Sequence, residues 1–346
     1  MLGYLEGRND AKSTREAYAS GIKDWIAKGY QQLEATRTTY ISGITKDPEK
    51  YRDAFKDMLG FPLNCSRSRE CRTTLSKTLL FEDDEKVIYR VTITMLDDIP
   101  FTGLLFLHKD SEQHPFIISQ HGGDGTPELV AGFFNDKTYN YNNMTERIFR
   151  LGANVFAPQL LMWSNEYETD GFRRNDRDLI DAQVKQLGGS ITALEVFCII
   201  KSLDTFCEAA IADENHLGMI GLSYGGLFTL FTAAADPRIK AALSCAYYNK
   251  RDVHRMIDWT WRNSASTFFD AEIAMLVYPR CLCIAVADQD NLLPAKSAEA
   301  ELQRLEQLSQ NIYGDTNWFH GCIFSGVHEF VKNDDLIKTV IAETLK

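Results

Sequence analysis

The hydrophobic pattern changes character near Leu80. Before it, apolar positions are sparse and fall at helical spacing. "STREAYASGIKDWIAKGYQQLEATR", starting at Ser13, predicts a first helix, with Ser13 and Glu16 at the spacing of a capping box. "KDPEKYRDAFKDMLG" predicts a second, with Pro48 near its start and Gly60 at its end. "FPLN" then breaks the pattern, so 1–80 reads as a helical extension.

After Leu80 the texture is that of a sheet protein. "KVIYRVTITML" and "FTGLLFLHK" alternate and predict two strands joined by an acidic turn at Asp97-Asp98. Apolar runs then predict buried strands at Phe116–Ser119, Asn154–Ala157, Leu217–Leu222, Ala241–Cys245, Leu282–Val286 and Trp318–Phe324. Helical stretches at Ser190–Ala210, Tyr224–Ala235, Ala295–Gln310 and Glu329–Leu345 fall between or after them. Apolar strands alternating with helices imply an α/β fold, with a mostly parallel central sheet covered on both faces. The expected organisation is an N-terminal helical extension (1–80) and a catalytic domain (81–346), with a possible lid or pocket insertion at 246–280.

Composition narrows the function without naming it. The chain has 346 residues, 45% hydrophobic and 25% charged, as in an ordinary soluble enzyme. A net charge of −11 and the lack of a basic run exclude nucleic acid as a partner. "MLGYLEGRND" lacks a basic region followed by an apolar one, so no secretory signal is expected and the expected location is cytoplasmic. Leu217–Ala235 carries no charge, but it contains Ser223, Tyr224, a glycine pair and two threonines. It reads as a strand, a turn and a buried helix, and no membrane partner is expected. None of the eight cysteines forms a CxxC pair, and reduced core thiols are expected. Cys65 and Cys71 are the one pair in a polar segment, where a bridge is the alternative.

In parallel sheets, reactive groups collect at the carboxyl ends of strands. Four such ends carry chemistry here. After "HLGMIGL" comes Ser223, then a helix, so "GLSYG" fits a nucleophile elbow with the serine lifted above the sheet. The competing reading is a tight turn with a capping serine. After "RCLCIAVA" come Asp288 and Asp290, either of which could hold an imidazole; the other is structural or a cap. After "WFHGCIFSG" comes His328, expected to open the last helix, whereas His320 lies inside the strand and is expected to be packed. After "HPFIIS" comes "QHGGDG", where Gly122 or Gly123, with Tyr224, can offer backbone N–H groups to an oxyanion. His121 is expected to orient that turn. A phosphate-binding loop is the alternative, but no Lys-Ser/Thr follows and no GxGxxG is present.

The order Ser223, Asp288 or Asp290, then His328, together with "GLSYGG", "QHGG", "DQDNLLP" and "GVHEF", resembles the α/β-hydrolases from about Leu80 to the last residue. The finer texture is similar to the acetyl xylan esterase and cephalosporin-C deacetylase group, with its dienelactone-hydrolase-like relatives. "FDAEIAMLVYPRCLCIAVADQD" carries most of that likeness. The resemblance prefers Asp290, which stands four residues before Pro294. Two departures are Gln159, where an aspartate is usual, and Ala287, where a glycine is usual. The resemblance implies serine ester hydrolysis through an acyl-enzyme, by Ser223, His328 and Asp290, with no metal or organic cofactor. It also implies a small ester substrate and a homo-oligomer.

Trp163, Tyr247, Trp259 and Trp261 are candidate pocket walls. The alternative is that the aromatics of the insertion form its own core. Asp170, Arg173 and Arg174 sit near the same rim or on a solvated face. The competing functions are a prolyl-oligopeptidase-like peptidase, for which 80 N-terminal residues are too few to form a propeller, and a non-catalytic binding protein, which would be expected to lack one of the three residues.

Overall fold

A computed structural model describes residues 3–133, 140–162, 174–251 and 256–346, with the backbone alone for Arg69, Arg174 and Asn175. Trp163, Asp170, Arg173 and the Arg174 side chain lie outside the described residues.

Three helices open the chain: α1 (Lys12–Ile41), α2 (Pro48–Leu59) and the single turn α3 (Ser66–Arg69). Asp47 caps α2 by accepting from Lys50 N, and Pro48 occupies its first turn. The capping box expected at Ser13 does not form. Helix α1 begins one residue earlier, after Ala11, with no side-chain cap.

An antiparallel meander follows, made of β1 (Thr74–Glu82), β2 (Lys86–Met95) and β3 (Ile99–His108). Strand β1 corrects the expectation that the chain is helical to Leu80. It is an edge strand exposed on both faces, so no buried face imposes an alternation that the sequence would reveal.

Helices and parallel strands then alternate. β4 (Phe116–Gln120) is followed by α4 (Pro127–Val130) and α5 (Met144–Arg150). β5 (Asn154–Pro158) leads through α6 (Arg174–Gln186) and α7 (Ile191–Glu208) to β6 (Leu217–Leu222). Next come α8 (Tyr224–Ala235), β7 (Ile239–Cys245), α9 (Ser264–Thr267), α10 (Asp270–Met275) and β8 (Cys281–Ala287). The chain closes with α11 (Ala295–Tyr313), β9 (Phe319–Phe324) and α12 (Asp335–Thr344). The sheet order is β1-β2-β3-β5-β4-β6-β7-β8-β9, parallel from β5 to β9.

Successive strand residues enter opposite cores. Met219 of β6 and Phe156 of β5 join one cluster with Phe55, Val196 and Phe228, while their neighbours Ile220 and Val155 join the other with Ile148 and Val340. Both faces of the parallel strands inside the sheet, β4 to β8, are therefore covered, which is why they read as largely apolar runs, whereas the edge strand β9 is partly exposed. The N-terminal helices belong to the first cluster. Phe55 meets Phe231 of α8 at 5.3 Å between ring centroids, and Arg52 donates to the Ala234 and Leu276 carbonyls. No helix among the described residues is long and apolar enough to cross a membrane.

Candidate active site

Ser223 sits between β6 and α8 at φ 59°, ψ −120°, a conformation a serine rarely adopts. Two glycines make the turn possible. A Cβ on Gly221 would lie 2.2 Å from the Gly225 oxygen, and one on Gly225 would lie 2.1 Å from the Gln120 oxygen. Ser223 N donates to the Cys245 carbonyl at 2.8 Å, fixing the turn to the end of β7. From Leu217 to Ala235 every residue is buried except Ser223, which is half-buried.

The two aspartates after β8 divide their work. Asp290 is buried, and its Oδ2 lies 2.7 Å from His328 Nδ1. Its other oxygen accepts from Leu292 N and Leu293 N at 2.8 and 2.9 Å. Those two donors hold the carboxylate in place. Asp288 is exposed and accepts from Gly326 N at 3.0 Å, bracing the loop after β9.

His328 stands in that loop, seven residues before α12. The expectation that it opens the last helix is corrected. The loop is held from outside: Asn142 Nδ2 donates to the Phe330 carbonyl at 2.6 Å, and Arg147 Nη1 to the Val331 carbonyl at 2.6 Å. Among the described residues neither Ser223 Oγ nor His328 Nε2 makes a hydrogen bond. Such links are often long before substrate binds. His320, expected to be packed, is exposed on the edge strand β9.

The turn after β4 lies against the elbow. A Cβ on Gly122 would be 3.1 Å from Ser223 Cβ. Gly122 N, however, already donates to the Tyr141 hydroxyl at 3.0 Å. The Tyr224 N–H is one of the first N–H groups of α8, which no helical carbonyl reaches. His121 is fully buried beneath the turn. Its Nε2 accepts from Leu160 N at 2.9 Å, so its Nδ1 carries the proton and donates to the Gly122 carbonyl at 2.8 Å. Burial depresses its pKa to about 4 and keeps it neutral. Gln159 Nε2 lies 3.2 Å from the same Nε2 and 2.5 Å from the Leu160 carbonyl.

A buried ionic network supports this side of the site and was not anticipated from the sequence. Arg177 pairs with Glu195 at 2.8 Å and with Asp258 at 2.7 Å, and all three are buried. Burial works against the guanidinium charge, but the two carboxylates outweigh it and raise the pKa. Glu195 also accepts from Leu161 N at 2.7 Å, and Asp258 Oδ1 accepts from the Tyr224 hydroxyl at 3.1 Å. One signal was available: Glu195 is a lone acid in the apolar run "ITALEVFCII".

The pocket-wall expectation for the insertion is corrected. Tyr247 and Trp259 are each 1% exposed and Trp261 8%, so none presents a face to a ligand. Trp259 packs edge-on to Tyr224 at 4.6 Å and to Tyr247 at 5.3 Å, and Trp261 Nε1 donates to Ser190 Oγ. They form the insertion's core and back the elbow. A cavity of about 720 Å³ opens between α1 and Lys250, Arg251, Phe269 and Glu301, but Ser223, Asp290 and His328 do not line it.

Solved structures share this architecture. A glucuronoyl esterase from Solibacter usitatus superposes with a TM-score of 0.62 at 15% identity, covering 87% of this chain and 93% of its own. An acetyl xylan esterase from Paenibacillus sp. R4 gives 0.58 at 17%, covering 84% and 93%. A methylesterase, BT1017, gives 0.61 at 16%, covering 92% and 68%. The chain has the α/β-hydrolase fold. No family profile matches the sequence. A protein of Bacillus subtilis (strain 168) named "Putative hydrolase YtaP" is 26% identical over 201 residues, 54% of this chain. The match spans 63% of that protein's length. In this fold Ser223, Asp290 and His328 follow the carboxyl ends of β6, β8 and β9, where side chains can gather above a parallel sheet.

Proposed function

We propose that the chain is a serine carboxylester hydrolase, working through an acyl-enzyme on small esters, with acetylated carbohydrate as the first class to try. The observation that supports it most is the Asp290–His328 contact, 2.7 Å long, on the sheet edge that also carries Ser223. The names of the esterases that share the fold support the ester linkage.

In this reading Ser223 Oγ attacks the ester carbonyl while His328 Nε2 takes its proton. Asp290 receives the Nδ1–H and steadies the imidazolium. The Gly123 and Tyr224 N–H groups hold the charge on the carbonyl oxygen. Collapse of the tetrahedral adduct returns the proton to the departing alcohol. Water, deprotonated by the same nitrogen, then releases the acid and restores Ser223. The reading needs no metal or organic cofactor. It carries a cytoplasmic location, supported by eight cysteines that are all unpaired.

The test is p-nitrophenyl acetate turnover by wild type and Ser223→Ala side by side. Release by wild type at least ~10³-fold above the variant is expected. Equal rates would remove Ser223 as the nucleophile. Release by neither, extended to acetylated sugars and peptide amides, would favour a binding protein.

A further inference from the structure

The cavity between α1 and the segment after β7 has the size of a small-molecule site, about 720 Å³. Ile26, Ala27, Tyr30 and Phe269 give it an apolar lining, and Lys23, Arg37, Lys250 and Arg251 a cationic one. The Tyr30 and Phe269 rings stand 6.1 Å apart between centroids, and the Arg37 guanidinium lies 4.1 Å from the Phe269 centroid. Ser223, Asp290 and His328 do not line the cavity, so it is separate from the proposed hydrolytic site.

The charges around it do not cancel. Arg37 pairs with Glu272 at 3.4 Å, Arg251 with Asp270, and Glu34, an acid of the lining, with Arg304 at 3.2 Å. Lys23 and Lys250 have no carboxylate partner among the described residues. Glu301 is the other acid of the lining. Burial, with Glu272 and Asp270 nearby, raises its pKa to about 8, so at neutral pH it adds no negative charge. In a chain of net charge −11 this cavity is locally cationic. Arg251 is a second, independent sign. Its side chain is 5% exposed, and its guanidinium lies 5.4 to 5.6 Å from the ring centroids of Trp261, Phe231 and Tyr247. Nη2 is held by the Tyr247 hydroxyl and Asp270, while Nη1 is buried and has no acceptor among the described residues. An unmade hydrogen bond on a buried charged group is costly, and a guanidinium held this firmly is preorganised for a planar acceptor.

We propose that this cavity binds an organic carboxylate with a flat, apolar body. The carboxylate accepts from Arg251 and offsets the Lys23 and Lys250 ammonium groups, and the body packs on Ile26, Tyr30 and Phe269. A bare phosphate would leave the apolar lining in water, and a neutral ligand would leave the cations without a counter-charge. The cavity wall is joined to the loop of Asp290: Asn249, two residues before Arg251, donates through Nδ2 to the Pro294 carbonyl at 3.2 Å. The proposal stands whether or not the chain hydrolyses esters.

The test is calorimetric titration of the full chain with 2-naphthoate, its neutral amide and inorganic phosphate, with thermal melts in parallel. Wild type is expected to bind one 2-naphthoate with a Kd of about 0.1 mM or below and to melt higher in its presence. The amide and phosphate should each bind at least ~10-fold more weakly. Lys250→Gln should weaken 2-naphthoate about fivefold and Tyr30→Ala about tenfold. Both side chains are partly in solvent, so both variants are expected to fold, and a melt without ligand checks that. No binding by wild type, equal binding of the amide or of phosphate, or unchanged 2-naphthoate affinity in either variant would overturn the proposal.

Discussion

The Tyr224 hydroxyl donates to Asp258 Oδ1 at 3.1 Å. The residue whose main-chain N–H is proposed to face the oxyanion is thus tied, through its ring, to the Arg177–Glu195–Asp258 network. Tyr224→Phe keeps the ring and removes that donor. A stability loss of ~1–2 kcal/mol is expected in urea unfolding. kcat on p-nitrophenyl acetate should fall ~10-fold with little change in KM, as for a donor needed mainly in the transition state. Unchanged kcat would show that the tyrosine ring does not hold the backbone donor in place.

Asp288 and Asp290 offer a paired comparison on one loop. Asp290→Asn should reduce kcat by ~10⁴, because a neutral amide no longer selects the reactive imidazole tautomer or stabilises the imidazolium. Asp288→Asn keeps an oxygen for Gly326 N and should stay within about threefold of wild type. Steady-state kinetics on the purified pair would decide, and the reverse ranking would exchange their roles.

The elbow glycines should differ sharply from Gly123 in their tolerance of a methyl group. Gly225→Ala drives a Cβ to 2.1 Å from the Gln120 oxygen and 2.8 Å from the His121 oxygen, both backbone atoms of β4 and its turn. A loss of ~3 kcal/mol or failure to fold is expected. Gly123→Ala meets nothing nearer than 3.4 Å and should melt within about 2 °C of wild type. Equal melting of the two variants would mean that β4 and α8 can move apart.

Acid should act on stability partly through His121. Its folded pKa, about 4, lies below the ordinary 6.5. As pH falls below 6.5 the unfolded chain takes up a proton that the folded chain refuses until about 4. Its contribution is complete above 6.5 and is lost across that window, on the order of 3 kcal/mol. His121→Gln can still accept from Leu160 N and donate to the Gly122 carbonyl, but it does not titrate. Denaturant unfolding at pH 7.5 and 4.5 should therefore show a smaller acid loss in the variant than in wild type. Equal losses would place the acid sensitivity elsewhere.

The inner parallel strands were legible in the sequence because burial on both faces makes their positions mostly apolar. Leu217–Leu222 and Tyr224–Ala235 were located to the residue. Ser223, Asp290 and His328 could be nominated because each follows such a strand. What failed follows from the same physics. β1 has no buried face to write a pattern, and the start of α12 was misplaced because Phe330 and Val331 are buried in a loop rather than in a helix. The aromatic side chains of 246–280 gave no sign of direction, so an internal core looked like a pocket wall. The Arg177 network joins residues distant in sequence, and only the folded chain brings them together.

The bulge in β1 has a consequence for solubility. Leu79 pairs with Tyr89 and Phe81 with Ile88, leaving Leu80 outside the ladder, and Leu79, Leu80 and Phe81 are all exposed. A straight apolar border of that length would be a template for another chain to add to. The extra residue breaks the spacing of the outward-facing N–H and carbonyl groups, and an incoming strand could match only half of the border at a time. The irregularity acts as a guard against polymerisation, and removing Leu80 would turn a blunt margin into an adhesive one.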